Sequence, residues 1–143
     1  MEELFNTTAF RRAAHLGNAI FHSVEPIELA LSNDIMASVK GWIEILINSV
    51  SPRYKVLFYN GQLDIIVAYP FTVNFLKTLK WTGEEAYKTA PRSFRYYQNR
   101  LAGYVKHVEN LNEVLVLNAE HKVPISQSEG AFDLITKFTR NAL

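Results

Sequence analysis

The sequence predicts an α/β domain, a sheet with flanking helices. Three observations carry that prediction. Two short apolar runs rich in β-formers, Val56 to Tyr59 and Glu113 to Leu117, are bounded by turn residues. Stretches with apolar residues at helical spacing precede, separate and follow them. Each run ends on polar residues: Asn60-Gly61-Gln62 leads to Asp64, and Asn118-Ala119-Glu120 leads to His121. In open α/β sheets, ligands and catalytic groups gather beyond the carboxyl ends of the strands.

The elements follow in order. A first helix is expected from about Thr8 to Ala19, capped by Thr7 or Thr8, with Phe10, Ala13, Ala14 and Gly17 on one face. A loop around Ser23 to Pro26 follows. Asn33 or Asp34 then caps a longer helix whose stripe is Ile35, Val39, Trp42, Ile43, Leu46 and Ile47. Ser51-Pro52 ends the connection. The run from Val56 to Tyr59 has no polar alternation, so it reads as an inner strand of a parallel sheet. Pro70 suits a first helical turn, which places a helix from about Tyr69 to Leu79, closed by Trp81-Thr82-Gly83. Residues 84 to 101 read as irregular with a short helix. Gly103 to Val108 alternates weakly as a strand, and Asn110-Leu111-Asn112 turns into the second buried run. After Pro124, the residues Ala131, Leu134, Ile135 and Phe138 mark a last amphipathic helix, capped by Ser126 or Ser128. Trp42 and Trp81 are expected in the core.

Composition narrows the function. With 143 residues the chain is one domain or part of a larger one, and its net charge of +1 gives no basic excess for nucleic acid. Arg92, Arg95, Tyr96, Tyr97, Arg100 and Tyr104 therefore read as an amphipathic surface segment. Cysteine is absent, which removes disulfides and thiolate metal sites. His15 reads as a polar helix-face residue and His107 as an exposed strand residue. The four histidines show no paired spacing, so no metal site is expected. No stretch approaches the ~20 apolar residues of a membrane span. Met1 to Phe5 lacks the start of a signal peptide. Asn6-Thr7-Thr8 fits the glycosylation sequon.

The segments "YNGQLDIIV" and "NAEHKVP", followed by an amphipathic helix, resemble the C-terminal part of the serine carboxypeptidases, closest to the vitellogenic-like and insect members. "FRRAAHLGN", "VKGWIEIL", "LKWTGEEAYK" and "AGYVKHVENLNEVLVLNAEH" fall in the expected order, so the resemblance covers nearly the whole chain. It implies the C-terminal portion of an α/β-hydrolase fold. Residues 1–51 would be the tail of a helical insertion with its connecting helix, and residues 52–143 the last strands and helices of the sheet. By motif match, Asp64 corresponds to the acid and His121 to the base of a Ser-Asp-His triad. The implied activity is hydrolysis of the C-terminal peptide bond of peptide substrates, with no cofactor. The implied location is secreted, lysosomal or vacuolar.

Two features depart from the family pattern. None of the six glycines stands two residues before a serine, so the sequence contains no nucleophile elbow. The serine is then expected from an N-terminal remainder, in the same precursor or a separate chain; the alternative is an inactive truncated homologue that binds peptides or partners. Family members also carry glycines just before the histidine, where this chain has Asn118-Ala119-Glu120. Glu120 adds a charge beside the pair. In the family the residue after the histidine tends to line the pocket for the penultimate substrate side chain; here it is Lys122, and the resemblance implies a preference for an acidic one.

Overall fold

The computed structural model describes residues 2–50 and 54–143. Ser51 and Pro52, assigned above to the connection before the first strand, lie outside the described residues. The chain divides into two compact units, Met1–Val39 and Lys40–Leu143.

The first unit holds three short helices, α1 (Glu2–Phe5), α2 (Thr8–Ala13) and α3 (Val24–Ala30). Thr7 caps α2 by accepting the Phe10 N–H at 3.2 Å. The helix expected to reach Ala19 stops at Ala13, because His15 turns left-handed with φ 55°. Its N–H bonds Arg12 O and the next N–H, of Leu16, bonds Arg11 O, a Schellman closure. The Phe5 ring meets Phe10 and Phe21 at 4.9 and 4.8 Å. None of this unit's described residues is buried.

The second unit contains α4 (Lys40–Ile47), β1 (Val56–Gly61), α5 (Tyr69–Leu76), α6 (Glu84–Thr89), β2 (Ser93–Tyr97), β3 (Arg100–Val108), β4 (Leu111–Val116), α7 (Val123–Ser126) and α8 (Ser128–Thr139). The strands form one mixed sheet in the order β1-β4-β3-β2, with β1 parallel to β4 and the other pairs antiparallel. One sheet face gathers Ile47, Leu76, Leu79, Trp81, Tyr87, Val108 and Leu111 under α4, α5 and α6. The opposite face packs Val105, Val114 and Val116 against Ala131 and Leu134 of α8. Covered on both faces, β4 is almost wholly buried, as its apolar stretch from Val114 to Val116 requires.

Several expectations change. The helix predicted from Asn33 begins only at Lys40, and Ile35 lies in a preceding turn. Ile43 and Ile47, four apart, face the core, which leaves Trp42 on the other side at 72% exposure rather than in the core. Trp81 is buried as expected. Residues 84 to 101 hold the expected short helix, α6, but the rest is not irregular: it forms β2, joined to β3 by a two-residue turn at Gln98 and Asn99 with φ 48° and 62°. The turn before β4 sits at Glu109 and Asn110, so Leu111 and Asn112 belong to the strand. Ser126 and Ser128 make no side-chain cap on α8. The run from Val56 to Tyr59 was expected as an inner strand; among the described strands β1 is outermost, paired on one side with β4.

A candidate acid-base site beyond β1 and β4

Because β1 and β4 are parallel neighbours, their carboxyl ends lie side by side. The turns beyond them are then stitched together. Gln62 donates its N–H to Val116 O at 2.8 Å, and Leu63 donates to Ala119 O at 2.9 Å. Asn118 donates its N–H to Gln62 Oε1 at 3.2 Å. This approach needs Gly61, since a Cβ there would fall 2.3 Å from both Ala119 O and Glu120 O. It also needs a left-handed residue before the histidine. Asn118 supplies it with φ 54°, a conformation asparagine tolerates better than most side chains. The missing glycines therefore do not prevent the tight turn.

The stitched turns bring Asp64 and His121 together. Asp64 Oδ1 accepts the Ile66 and Val67 N–H groups at 2.9 and 3.0 Å, an Asx turn that fixes the carboxylate. Its Oδ2 lies 3.0 Å from His121 Nδ1. Burial opposes ionisation of Asp64, but the Val67 N–H, the His121 ring and the Ile66 N–H outweigh it and hold the carboxyl below its ordinary value. A carboxylate only accepts, so Nδ1 carries the proton and Nε2 is left as the basic atom. The Asp64 side chain is 4% exposed and that of His121 45%, so the acid is enclosed and the imidazole is open to solvent. The pair lines an open cleft of about 250 Å³ with Tyr59, Asn60, Gly61, Val67, Val123 and Pro124; no serine is among the described residues lining it.

Lys122 is exposed next to His121 and does not line that cleft. Glu120 is also exposed; its N–H reaches Ser126 Oγ at 3.3 Å. Asn6 belongs to the first unit, where its amide clamps the Phe21 backbone, accepting from N at 2.7 Å and donating to O at 3.1 Å. Among the described residues no group of His, Cys, Asp or Glu is placed to hold a metal ion, and no helix is long and apolar enough to cross a membrane.

Two further buried polar residues were not foreseen. Asn60 is nearly buried and donates from Nδ2 to Val67 O at 2.9 Å, holding the turn that carries Asp64. Glu113, at 2% exposure, accepts hydrogen bonds from the hydroxyls of Tyr69 and Tyr87. The one sequence signal for Glu113 was an acid at the head of an apolar run.

A family model described as serine carboxypeptidase matches residues 1–141. The venom serine carboxypeptidase of Apis mellifera is 48% identical over 142 residues, 99% of this chain and 30% of that protein. The vitellogenic carboxypeptidase of Aedes aegypti is 41% identical over 140 residues, covering 96% of this chain and 29% of its own length. The chain thus spans under a third of these relatives. In three dimensions it superposes with a TM-score of 0.76, at 21% identity, on a prohormone-processing carboxypeptidase from Saccharomyces cerevisiae, covering 98% of this chain and 31% of the other. That likeness identifies the α/β-hydrolase fold.

Proposed function

The chain belongs to the serine carboxypeptidase family, and on that premise we propose that it supplies the acid and base of a serine-type carboxypeptidase, with the serine contributed by polypeptide outside this sequence. The observation that carries the reading is the 3.0 Å contact between His121 Nδ1 and Asp64 Oδ2, with the second carboxylate oxygen held by two backbone N–H groups. In that role Nε2 of His121 takes the serine proton as Oγ attacks the carbonyl of the last peptide bond. It then returns the proton to the departing amine. Asp64 keeps the imidazole in the required tautomer and stabilises the imidazolium. The edge of β1 left unpaired among the described strands and the exposed Ile65 and Ile66 beside Asp64 favour further polypeptide over this face, since an open apolar edge invites pairing.

A fluorophosphonate probe tests the reading on the protein isolated at its natural length. Covalent labelling, lost in His121→Gln, is the expected result. An unlabelled protein that still binds peptides would replace this reading with a non-catalytic binding role. From the family position alone we further propose that Lys122, exposed and outside the described cleft, favours acidic penultimate side chains; equal rates on acidic and basic peptides would remove that part alone. Secretion is the location that the venom relative's name favours.

A further inference from the structure

Glu113 is the most deeply buried acid among the described residues, and nothing in the proposed chemistry uses it. It sits mid-strand in β4, opposite Phe58 of β1 and Lys106 of β3. The Tyr69 hydroxyl donates to Oε1 and the Tyr87 hydroxyl to Oε2. Burial, reinforced by the carboxylate, pushes both phenols well above their ordinary range, so each remains a donor. A cation covers each ring: Arg92 lies 5.0 Å from the centre of Tyr69, and Lys106 lies 4.6 Å from that of Tyr87. Enclosing a carboxylate this way is unfavourable until its partners offset the lost hydration. An apolar residue would fill the strand without that cost.

The two tyrosines differ in where they lead. Tyr87 lies inside α6. Tyr69 is the first residue of α5, directly after the turn that carries Asp64. The two ends of that turn are tied to each other by Asn60 Nδ2 donating to Val67 O. Tyr69 lies two residues beyond Val67, and its hydroxyl fastens the closing end of that turn to Glu113. Glu113 belongs to β4, the strand that runs on into the turn bearing His121. Acid and base are thereby referenced to one strand.

We propose that Glu113 is a positioning residue for the Asp64–His121 pair, acting through the Tyr69 hydroxyl at the end of the acid-bearing turn. The proposal rests on reading that pair as triad acid and base. Its test compares Tyr69→Phe with Tyr87→Phe in the natural-length protein. Each removes one hydroxyl from the same carboxylate, so a general loss of stability affects both alike. The readout is the downfield proton resonance of the His121 Nδ1–H, assigned by its loss in His121→Gln. We expect the resonance to move upfield and broaden in Tyr69→Phe and to hold its position in Tyr87→Phe. Glu113→Gln, which keeps an acceptor for Tyr69, should retain it. Where peptide hydrolysis is present, kcat/KM should fall about tenfold in Tyr69→Phe alone. Equal shifts in both variants, no shift in either, or no such resonance in the unsubstituted protein would overturn the proposal. The resonance needs no turnover. An inactive protein with a Tyr69-sensitive signal therefore sinks the catalytic reading alone, and an active protein with an insensitive signal sinks the positioning role alone.

Discussion

Gly61→Ala isolates the contact that makes the site. The new Cβ would lie 2.3 Å from Ala119 O and Glu120 O. Ordinary C···O contacts begin near about 3.3 Å, so the backbone before His121 must withdraw by about 1 Å. That backbone has little room to move. Ala119 is fully buried and its carbonyl accepts the Leu63 N–H at 2.9 Å. Overpacking of this kind costs about 1–3 kcal/mol, against a total stability of about 5–15 kcal/mol, so the variant should fold. A misplacement of about 1 Å between acid and base should instead lower kcat/KM about 100-fold. The assay is hydrolysis of a blocked dipeptide by the natural-length protein, with urea unfolding as the fold control. Wild-type kcat/KM with unchanged stability would refute the claim that close approach of the two turns positions the pair. A loss of activity matched by a collapse of the unfolding transition would refute the expectation that the variant folds.

Other outcomes follow from the same geometry. Asp64→Asn keeps the shape but reverses the hydrogen-bond preference at Nδ1; kcat should fall about 10⁴-fold with KM little changed. Arg95, with a side chain 4% exposed, donates from Nη2 to Asp133 Oδ2 at 2.8 Å and to Gly130 O at 2.6 Å. Asp133→Ala strands that guanidinium and should cost about 3–5 kcal/mol in urea unfolding, whereas Lys137→Ala, removing an exposed partner of Asp133, should cost under about 1 kcal/mol. Lys80 and Lys88 hold the Glu84 carboxyl down to about 2, from an ordinary 4.5. Its folded value is the lower one, so its contribution to stability is complete above pH 4.5 and disappears as pH falls toward 2. Melting temperatures of Glu84→Gln and the parent should therefore converge across that window.

The sequence by itself determined the elements whose signal is local. The apolar runs of β1 and β4, the proline-started α5 and the amphipathic α8 were legible because burial on one or both faces leaves a period in the chain. The places of Asp64 and His121 were legible because both stand just past an apolar run. The left-handed ending of α2 and the aromatic hairpin strand β2 were obscured by weak or mixed periodicity. Tertiary structure decided the rest. Trp42 looked like core because its helical stripe was read from Ile35, but a helix starting at Lys40 turns the tryptophan outward. Glu113 looked like a charge at the start of a strand, and it is buried because two hydroxyls 44 and 26 residues away meet it across the sheet face. The pairing of Asp64 with His121 depends in the same way on two turns 57 residues apart, brought within bonding distance by the parallel register of β1 and β4 and by the missing side chain at Gly61. Periodicity records how a segment meets the core; only strand register and close packing decide which polar groups from distant segments meet one another.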